Sequence, residues 1–253
     1  MKRIKGSLRH LTRAAAPGFW PVLRKEFRWT VKPSPGPHPI ARCIPLGILL
    51  RDVLGYASTM REARRILGER KVMVDGRVVR DYKFPVGLMD VVHIVPTGEY
   101  FRVLPHPQKV LGLAPIPEEE AKFKLCRIEN KTMVKGGNLQ LNLHDGRNCL
   151  VELEDPMNPV EDVYKTLDTV KLAIPEQEIL DHVKLEEGVL VCVVDGSHIG
   201  AVGVLREIKQ VFKRRRAIAK VEDAREGREI TTILDYVFAI GREKPLITIP
   251  EEW

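Results

Sequence analysis

The chain has 253 residues, 44% of them hydrophobic and 30% charged, which suits one to three domains of roughly 150 residues and excludes collagen-like, low-complexity or wholly disordered polypeptides. No run approaches the roughly 18 apolar residues of a membrane helix, and no apolar stretch follows the basic N-terminus to make a secretory signal, so a cytosolic location is expected. The net charge of +7 is unevenly spread: residues 1–42 hold ten Lys/Arg and one acid, 43–104 ten and seven, 105–187 ten and sixteen, and 188–253 eleven and ten. The first segment thus carries more than the whole excess, the footprint of a protein that meets a polyanion, foremost nucleic acid.

In that segment Phe19, Trp20, Phe27 and Trp29 are interleaved with Lys2, Arg3, Lys5, Arg9, Arg13, Arg24, Lys25 and Arg28. Such a mixture supplies rings that stack on bases, here Trp20 and Trp29, and cations that pair with phosphate. Pro17, Gly18 and Pro21 interrupt any amphipathic helix that could lie on a membrane. The expectation is an extended arm, mobile in the free protein and ordered by its partner. Pro33, Pro35, Pro37 and Pro39 alternate with Ser34, Gly36 and His38, and this favours an extended linker.

Leu46, Leu49, Leu50, Val53 and Leu54 recur at helical spacing, with Pro45 suited to the first turn and Gly55 to the stop. Thr59 and Glu62 form a capping-box pattern that opens a second helix, ending at Gly68. Met60, Ala63 and Leu67 share one of its faces, and Arg61, Arg64 and Arg65 gather on the other. Val72 to Val74, Asp75-Gly76 and Arg77 to Val79 read as a type I′ hairpin, and Asp90 to Val95 as a further strand.

From residue 105 the signals weaken. Pro105, Pro107, Pro115 and Pro117 open the region, and Leu139, Leu141 and Leu143 alternate toward Asp145-Gly146, with Asn148 to Glu154 as the returning strand, so a β-domain is expected. Glu118, Glu119 and Glu120 read as a solvated face, because adjacent side chains do not converge on a metal. His144 and His182 have no visible nucleophile or ligand partner. Val189 to Val194 is β-like, Asp195-Gly196 turns, and Gly196, Gly200 and Gly203 precede Val204 to Ile208. The tetrad Lys213, Arg214, Arg215 and Arg216 reads as a phosphate contact, and Ile230 to Ile240 as one long strand.

Two short helices followed by a hairpin, with Met60 to Leu67, Val72 to Arg77 and Gly87 to Val92, resemble the alpha-L RNA-binding module of bacterial ribosomal protein S-four and some RNA-modifying enzymes. That resemblance implies phosphate roles for Arg61, Arg64, Arg65, Lys71 and Arg77. The glycine pattern from Gly196 to Val204 resembles a KOW motif, the start of an SH3-like β-barrel, although Ile199 and Ala201 stand where such loops often carry basic residues. In order, the basic aromatic arm, Gly36-Pro37-His38, the module, Gly87-Leu88-Met89-Asp90-Val91, a β-domain, the KOW pattern, Phe238 to Gly241 and Lys244-Pro245 closely resemble the archaeal and eukaryotic small-subunit ribosomal family S-four-e. The fold this implies is multidomain α+β: an arm and linker over 1–42, the module over 43–104, a central β-rich domain over 105–184 and a barrel with C-terminal extension over 185–253. The function it implies is that of a non-catalytic, cytoplasmic constituent of the small subunit. Its partners would be small-subunit ribosomal RNA and neighbouring ribosomal proteins, with no membrane and no small-molecule substrate.

Competing classes find less support. Pseudouridine synthases that use the alpha-L module carry a nucleophilic aspartate in Gly-Arg-Leu-Asp, where this chain has Gly146-Arg147-Asn148-Cys149. Phosphate-loop, His-Glu-x-x-His and Gly-x-Ser-x-Gly patterns are absent from the sequence, and a NusG-like factor would not explain the module. Cys43, Cys126, Cys149 and Cys192 lie far apart with no zinc-ligand spacing, so neither metal nor cofactor is expected, and Cys126 and Cys192 read as small hydrophobes.

Overall fold

The computed structural model describes residues 9–153, 162–209, 217–224 and 227–250. The arm forms a two-stranded ribbon of β1 (Leu11–Thr12) and β2 (Trp29–Thr30), paired through Leu11↔Thr30 and Thr12↔Trp29. β3 (Cys43–Pro45) then pairs with β6 (Pro85–Gly87). Between these lie α1 (Leu46–Ile48), α2 (Met60–Gly68), β4 (Val72–Val74) and β5 (Arg77–Val78). β7 (Val91–Ile94), β8 (Glu99–His106) and β9 (Val110–Ile116) complete a five-stranded sheet in the order β5-β4-β7-β8-β9. This sheet crosses residue 104, where the sequence reading placed a domain boundary, because β8 pairs with β9 over its length from Tyr100↔Ile116 to His106↔Val110. Pro105 stands opposite Leu111 within that pairing.

The expected local signals form α2. Thr59 Oγ1 accepts from the Glu62 N–H and the Glu62 carboxylate accepts from the Thr59 N–H, the complete capping box. Ala63 and Leu67 are buried while Arg61, Arg64 and Arg65 are exposed. Asp75 and Gly76 have φ of 48° and 72°, as a type I′ turn requires, in register with Val74↔Arg77. The first helix departs from expectation: after one α-turn it widens into a π-helical stretch over Leu49–Val53. Leu46, Ile48, Leu49 and Leu50 are all buried, so packing on every side rather than one apolar stripe sets its geometry.

The chain continues through α3 (Glu118–Ala121) to a second sheet built from β10 (Phe123–Met133), β11 (Leu139–Leu143), β12 (Asn148–Val151), β13 (Thr169–Ala173) and β14 (Ile179–Val183), ordered β12-β11-β10-β13-β14. The third sheet contains β15 (Leu190–Val193), β16 (Val202–Lys209), β17 (Ile218–Asp223), β18 (Glu229–Ile233) and β19 (Val237–Gly241), ordered β18-β17-β16-β15-β19. The single strand expected over 230–240 is broken by a 3-10 turn at Leu234–Tyr236. The chain must leave one edge of the sheet and return beside β15 at the other, and buried Leu234 anchors the crossing.

The three sheets share a core. Met89 and Leu104 from the first, Leu125 from the second and Cys192, Val202, Phe238 and Ile240 from the third form one buried cluster. Cys126 is buried in the second sheet's own core.

Beside the shared core lies a buried ionic node. Lys124 Nζ, with no exposed surface, donates to Asp75 at 2.9 Å, Asp90 at 2.5 Å and Asp145 at 3.0 Å. Arg147 adds contacts to Asp75 at 2.6 Å and Asp145 at 3.2 Å, and His38 Nε2 lies 3.1 Å from both Asp90 oxygens. Burial alone would lower the Lys124 pKa, but the charges of Asp75 and Asp90 hold it well above its ordinary value. Burial would raise Asp145, yet Lys124 and His144 bring it down to about 2. The hairpin turn, the β6–β7 loop and the second sheet thus meet on one ammonium, and the linker joins them through Asp90.

Glu120 corrects another expectation. It is buried rather than solvated, 3.2 Å from the fully buried Arg102, and its carboxylate accepts from Thr248. Only Glu118 and Glu119 of that triplet are exposed. Among the described residues no helix is long and apolar enough to cross a membrane.

Candidate nucleic-acid interface

The arm is not extended. Residues 9–42 fold against the first sheet's core, into which Ala16 and Trp20 insert. Trp20 is 3% exposed and its indole N–H donates to Cys43 O at 2.7 Å, so no face of its ring is open to a base. Arg13 is buried, donating to Leu23 O at 2.6 Å and to the Glu26 carboxylate at 3.0 Å. Arg24 donates to the carbonyls of Arg13, Ala16 and Pro17 at 2.7, 2.8 and 2.8 Å. These two guanidiniums replace the backbone partners that a segment broken by prolines and glycine cannot supply for itself. Trp20, Arg13 and Arg24, expected to meet nucleic acid, therefore hold the arm together.

Arg9, Lys25, Arg28 and Trp29 are exposed, Trp29 to 49%. The β1–β2 pairing and a hydrogen bond from Arg13 Nε to Trp29 O at 3.3 Å fix the backbone beneath that ring. Lys2, Arg3, Lys5 and the tetrad Lys213, Arg214, Arg215 and Arg216 lie outside the described residues.

On the module, Arg61, Arg64, Arg65, Lys71 and Arg77 are all exposed. Glu69 partners Arg65 at 3.0 Å and Lys71 at 2.5 Å, so these two cations are partly neutralised. Among the described residues neither Arg61 nor Arg77 forms an ion pair, and Arg64 instead lies over the Tyr82 ring, 4.1 Å from its centroid. Lys83 approaches the same ring at 5.6 Å. Tyr82 and Lys83 lie between the elements the sequence patterns defined, which is why no periodicity marked them.

Between the folded arm and α2 runs a groove of about 390 Å³ whose walls include Arg9, Trp29, Lys32, Arg64, Tyr82 and Lys83. The structure thus joins one end of the arm to the cationic face of α2, while Lys25, Arg28 and Arg77 are not part of the groove.

Cys126, His144 and Asp145 bring one ligand atom each within 4.8 Å of one another. The arrangement does not suit a cation, because Lys124 and Arg147 already contact Asp145. His144 is also engaged: Nδ1 accepts from the Arg127 N–H at 3.2 Å and Nε2 faces Leu88 O at 3.3 Å. Burial and the charge of Lys124 lower the His144 pKa to about 4, in keeping with a neutral ring.

A helical pair and hairpin presenting one-signed cations, with a basic groove alongside, define the class of protein: an S4-type RNA-binding module within a larger β assembly. Residues 48–92 match the S4 domain, 5–41 the RS4NT (NUC023) domain and 97–179 the ribosomal family S4e. The chain is 58% identical to the small ribosomal subunit protein eS4 of Staphylothermus marinus and 54% identical to that of Aeropyrum pernix, in each case over 97% of both chains. The crystal structure of the 30S ribosomal protein S4e from Thermoplasma acidophilum is similar, with a TM-score of 0.65 and 32% identity, covering 79% of this chain and 95% of that one. The chain belongs to the ribosomal family S4e.

Proposed function

We propose that the protein is a structural, non-catalytic constituent of the small ribosomal subunit, working in the cytoplasm by binding ribosomal RNA. Membership of a family of ribosomal proteins supports this over an RNA-modifying enzyme or a transcription factor. The observation that carries the binding mode is the α2 face: Arg61, Arg64 and Arg65 are exposed opposite buried Ala63 and Leu67, so the cations can meet phosphate without disturbing the core.

In this reading Lys71, Arg77, Arg9, Lys25 and Arg28 extend the contact, and the terminal Lys2, Arg3 and Lys5 with Lys213 to Arg216 add further phosphate partners. The third sheet, whose last strand pairs with its first, is read as the KOW/SH3-like barrel. Gly200 lies against Pro107 at the β8–β9 turn, and this supports a structural role for the loop that bears it. Neighbouring ribosomal proteins are the remaining partners.

The test is filter binding of small-subunit ribosomal RNA to wild type and to the triple variant Arg61→Glu, Arg64→Glu, Arg65→Glu across a salt series. Each lost phosphate contact should flatten the log affinity against log salt slope by about 0.7–0.9. The variant should keep its circular dichroism and lose affinity together with about two to three units of slope. Unchanged affinity and slope would refute the interface.

A further inference from the structure

A second groove, of about 630 Å³, lies where the arm, the first helix and the edge of the first sheet meet. Phe19 and Pro21 line it from the arm, Val53 and Leu54 from the π-helical stretch, and Leu111 and Leu113 from β9. β9 is the edge strand of its sheet and Val53 is 41% exposed, so apolar surface from three elements faces water together. Apolar surface gathered in one concave place, rather than scattered singly, marks a docking site.

The charges on the groove narrow the choice of occupant. Asp52 is already matched by Arg51 at 2.8 Å. Lys109, on the β8–β9 turn, is exposed and forms no ion pair among the described residues. Burial and the charge of Lys109 lower the pKa of the neighbouring His106, so that ring is neutral at pH 7. Lys109 is therefore left as an uncompensated positive charge beside an apolar trough.

The course of the chain brings a complementary segment to this place. Thr248 donates to the Glu120 carboxylate through its N–H at 3.1 Å and its hydroxyl at 2.6 Å. Ile247 is then buried in the core shared by the three sheets, and Ile249 packs against it. Pro250 lines the second groove together with His106, Gln108 and Lys109. Residues 251–253, Glu-Glu-Trp, follow outside the described residues. Three extended residues reach about 10 Å, and Pro250 already stands on the groove's wall. An indole removes roughly 150–250 Å² from water when buried. A groove of this volume holds such a ring with the backbone that carries it.

We propose that residues 251–253 dock in this groove, with the Trp253 indole packed among Phe19, Val53, Leu54 and Leu113 and one of the two glutamates paired with Lys109. The segment then ties the third sheet to the arm and to the π-helical stretch, covering the apolar surface that those elements leave between them.

The experiment uses the full chain labelled with 5-fluorotryptophan, whose fluorine signals belong to Trp20, Trp29 and Trp253 and are assigned by Trp29→Phe and Trp253→Phe. A soluble nitroxide broadens the signals of accessible rings. Trp20 at 3% exposure and Trp29 at 49% serve as internal standards. The Trp253 signal should broaden as little as that of Trp20, and broadening equal to that of Trp29 would overturn the proposal. Val53→Arg changes an exposed position and should keep its circular dichroism while raising the broadening of Trp253 to that of Trp29. A Trp253 signal unmoved by it would place the ring elsewhere and overturn the proposal.

Lys109→Glu, also at the surface, supplies the same test should Val53→Arg unfold. It should expose Trp253, and adding Glu251→Lys and Glu252→Lys should restore protection. A Lys109→Glu variant that leaves Trp253 protected, or a charge swap that restores nothing, would refute the pairing and the proposal with it. Protection that disappears on dilution would put the segment on a second copy, and a Trp253 ring exposed at every concentration would leave the groove to another protein. Either result overturns the proposal.

Discussion

Replacing Lys124 by Met removes the one ammonium shared by Asp75, Asp90 and Asp145 while keeping most of the side-chain volume. Removing one partner of a buried ion pair typically costs about 3–5 kcal/mol, because a charge is left buried without compensation. Here Arg147 remains on Asp75 and Asp145, and His38 on Asp90, so the loss should fall within that range rather than scale with three broken contacts. For a chain of this size about 1 kcal/mol moves the melting temperature by roughly 2–4 °C, so the variant should melt about 6–20 °C below wild type at pH 7. The pH dependence is the sharper test. Without the ammonium, at least one buried carboxylate should titrate well above its unfolded value of about 3.9, which makes its cost present at neutral pH and relieved as pH falls through the raised value. Urea unfolding at pH 7 and pH 5 should therefore show a penalty that shrinks on acidification, and Asp90→Asn in the Lys124→Met background should recover part of it. A penalty below about 1 kcal/mol, or one indifferent to pH, would refute the view that this node holds the sheets together.

In the wild-type protein His144 has a folded pKa lowered to about 4 by burial and Lys124, so the unfolded state binds the extra proton below its own value near 6.5 and stability falls as pH drops from about 6.5 to 4. Thermal scans should show His144→Gln flattening that interval, while the carboxylate Asp145, held down to about 2, contributes a separate loss below about pH 4 in both proteins. Gly87→Ala should cost about 1–3 kcal/mol in urea, because a Cβ there would clash with the His38 ring and push it off Asp90. Adding His38→Ala to Gly87→Ala should cost less than the sum of the two single changes, and strict additivity would show that the two residues do not meet.

The features legible in the sequence are those whose causes lie within a few residues. The Thr59–Glu62 box, the apolar positions Ala63 and Leu67 and the Asp75-Gly76 turn each satisfy a short-range rule, and the structure forms each as written. The burial of Trp20 was not legible because its partners are distant: its indole meets Cys43, and the prolines around it erase any period that could have signalled a core face. A basic segment rich in aromatics has the same composition whether its rings meet bases or its own core. Tyr82 and Lys83 escaped for a related reason, since a groove wall made of loop residues has no spacing to read.

The ionic node was hidden differently, because the local rules were satisfied too well. Asp75 and Asp145 each precede glycine at a hairpin turn, and turn chemistry alone accounts for an aspartate there. Their side chains nevertheless turn inward to Lys124, a strand residue that pattern reading would leave at the surface. One residue thus does two jobs, shaping the turn through its backbone and joining the sheets through its carboxylate. The second job also bears on the interface. Asp75 is two residues from Arg77, so the node that anchors the turn from behind fixes where that exposed cation stands. The same node holds His38 in the linker, and with it the end of the arm whose other strands wall the groove beside α2. Arg77 and the linker are thus positioned by charges that face inward, and on the proposed reading RNA would meet a surface that is already assembled.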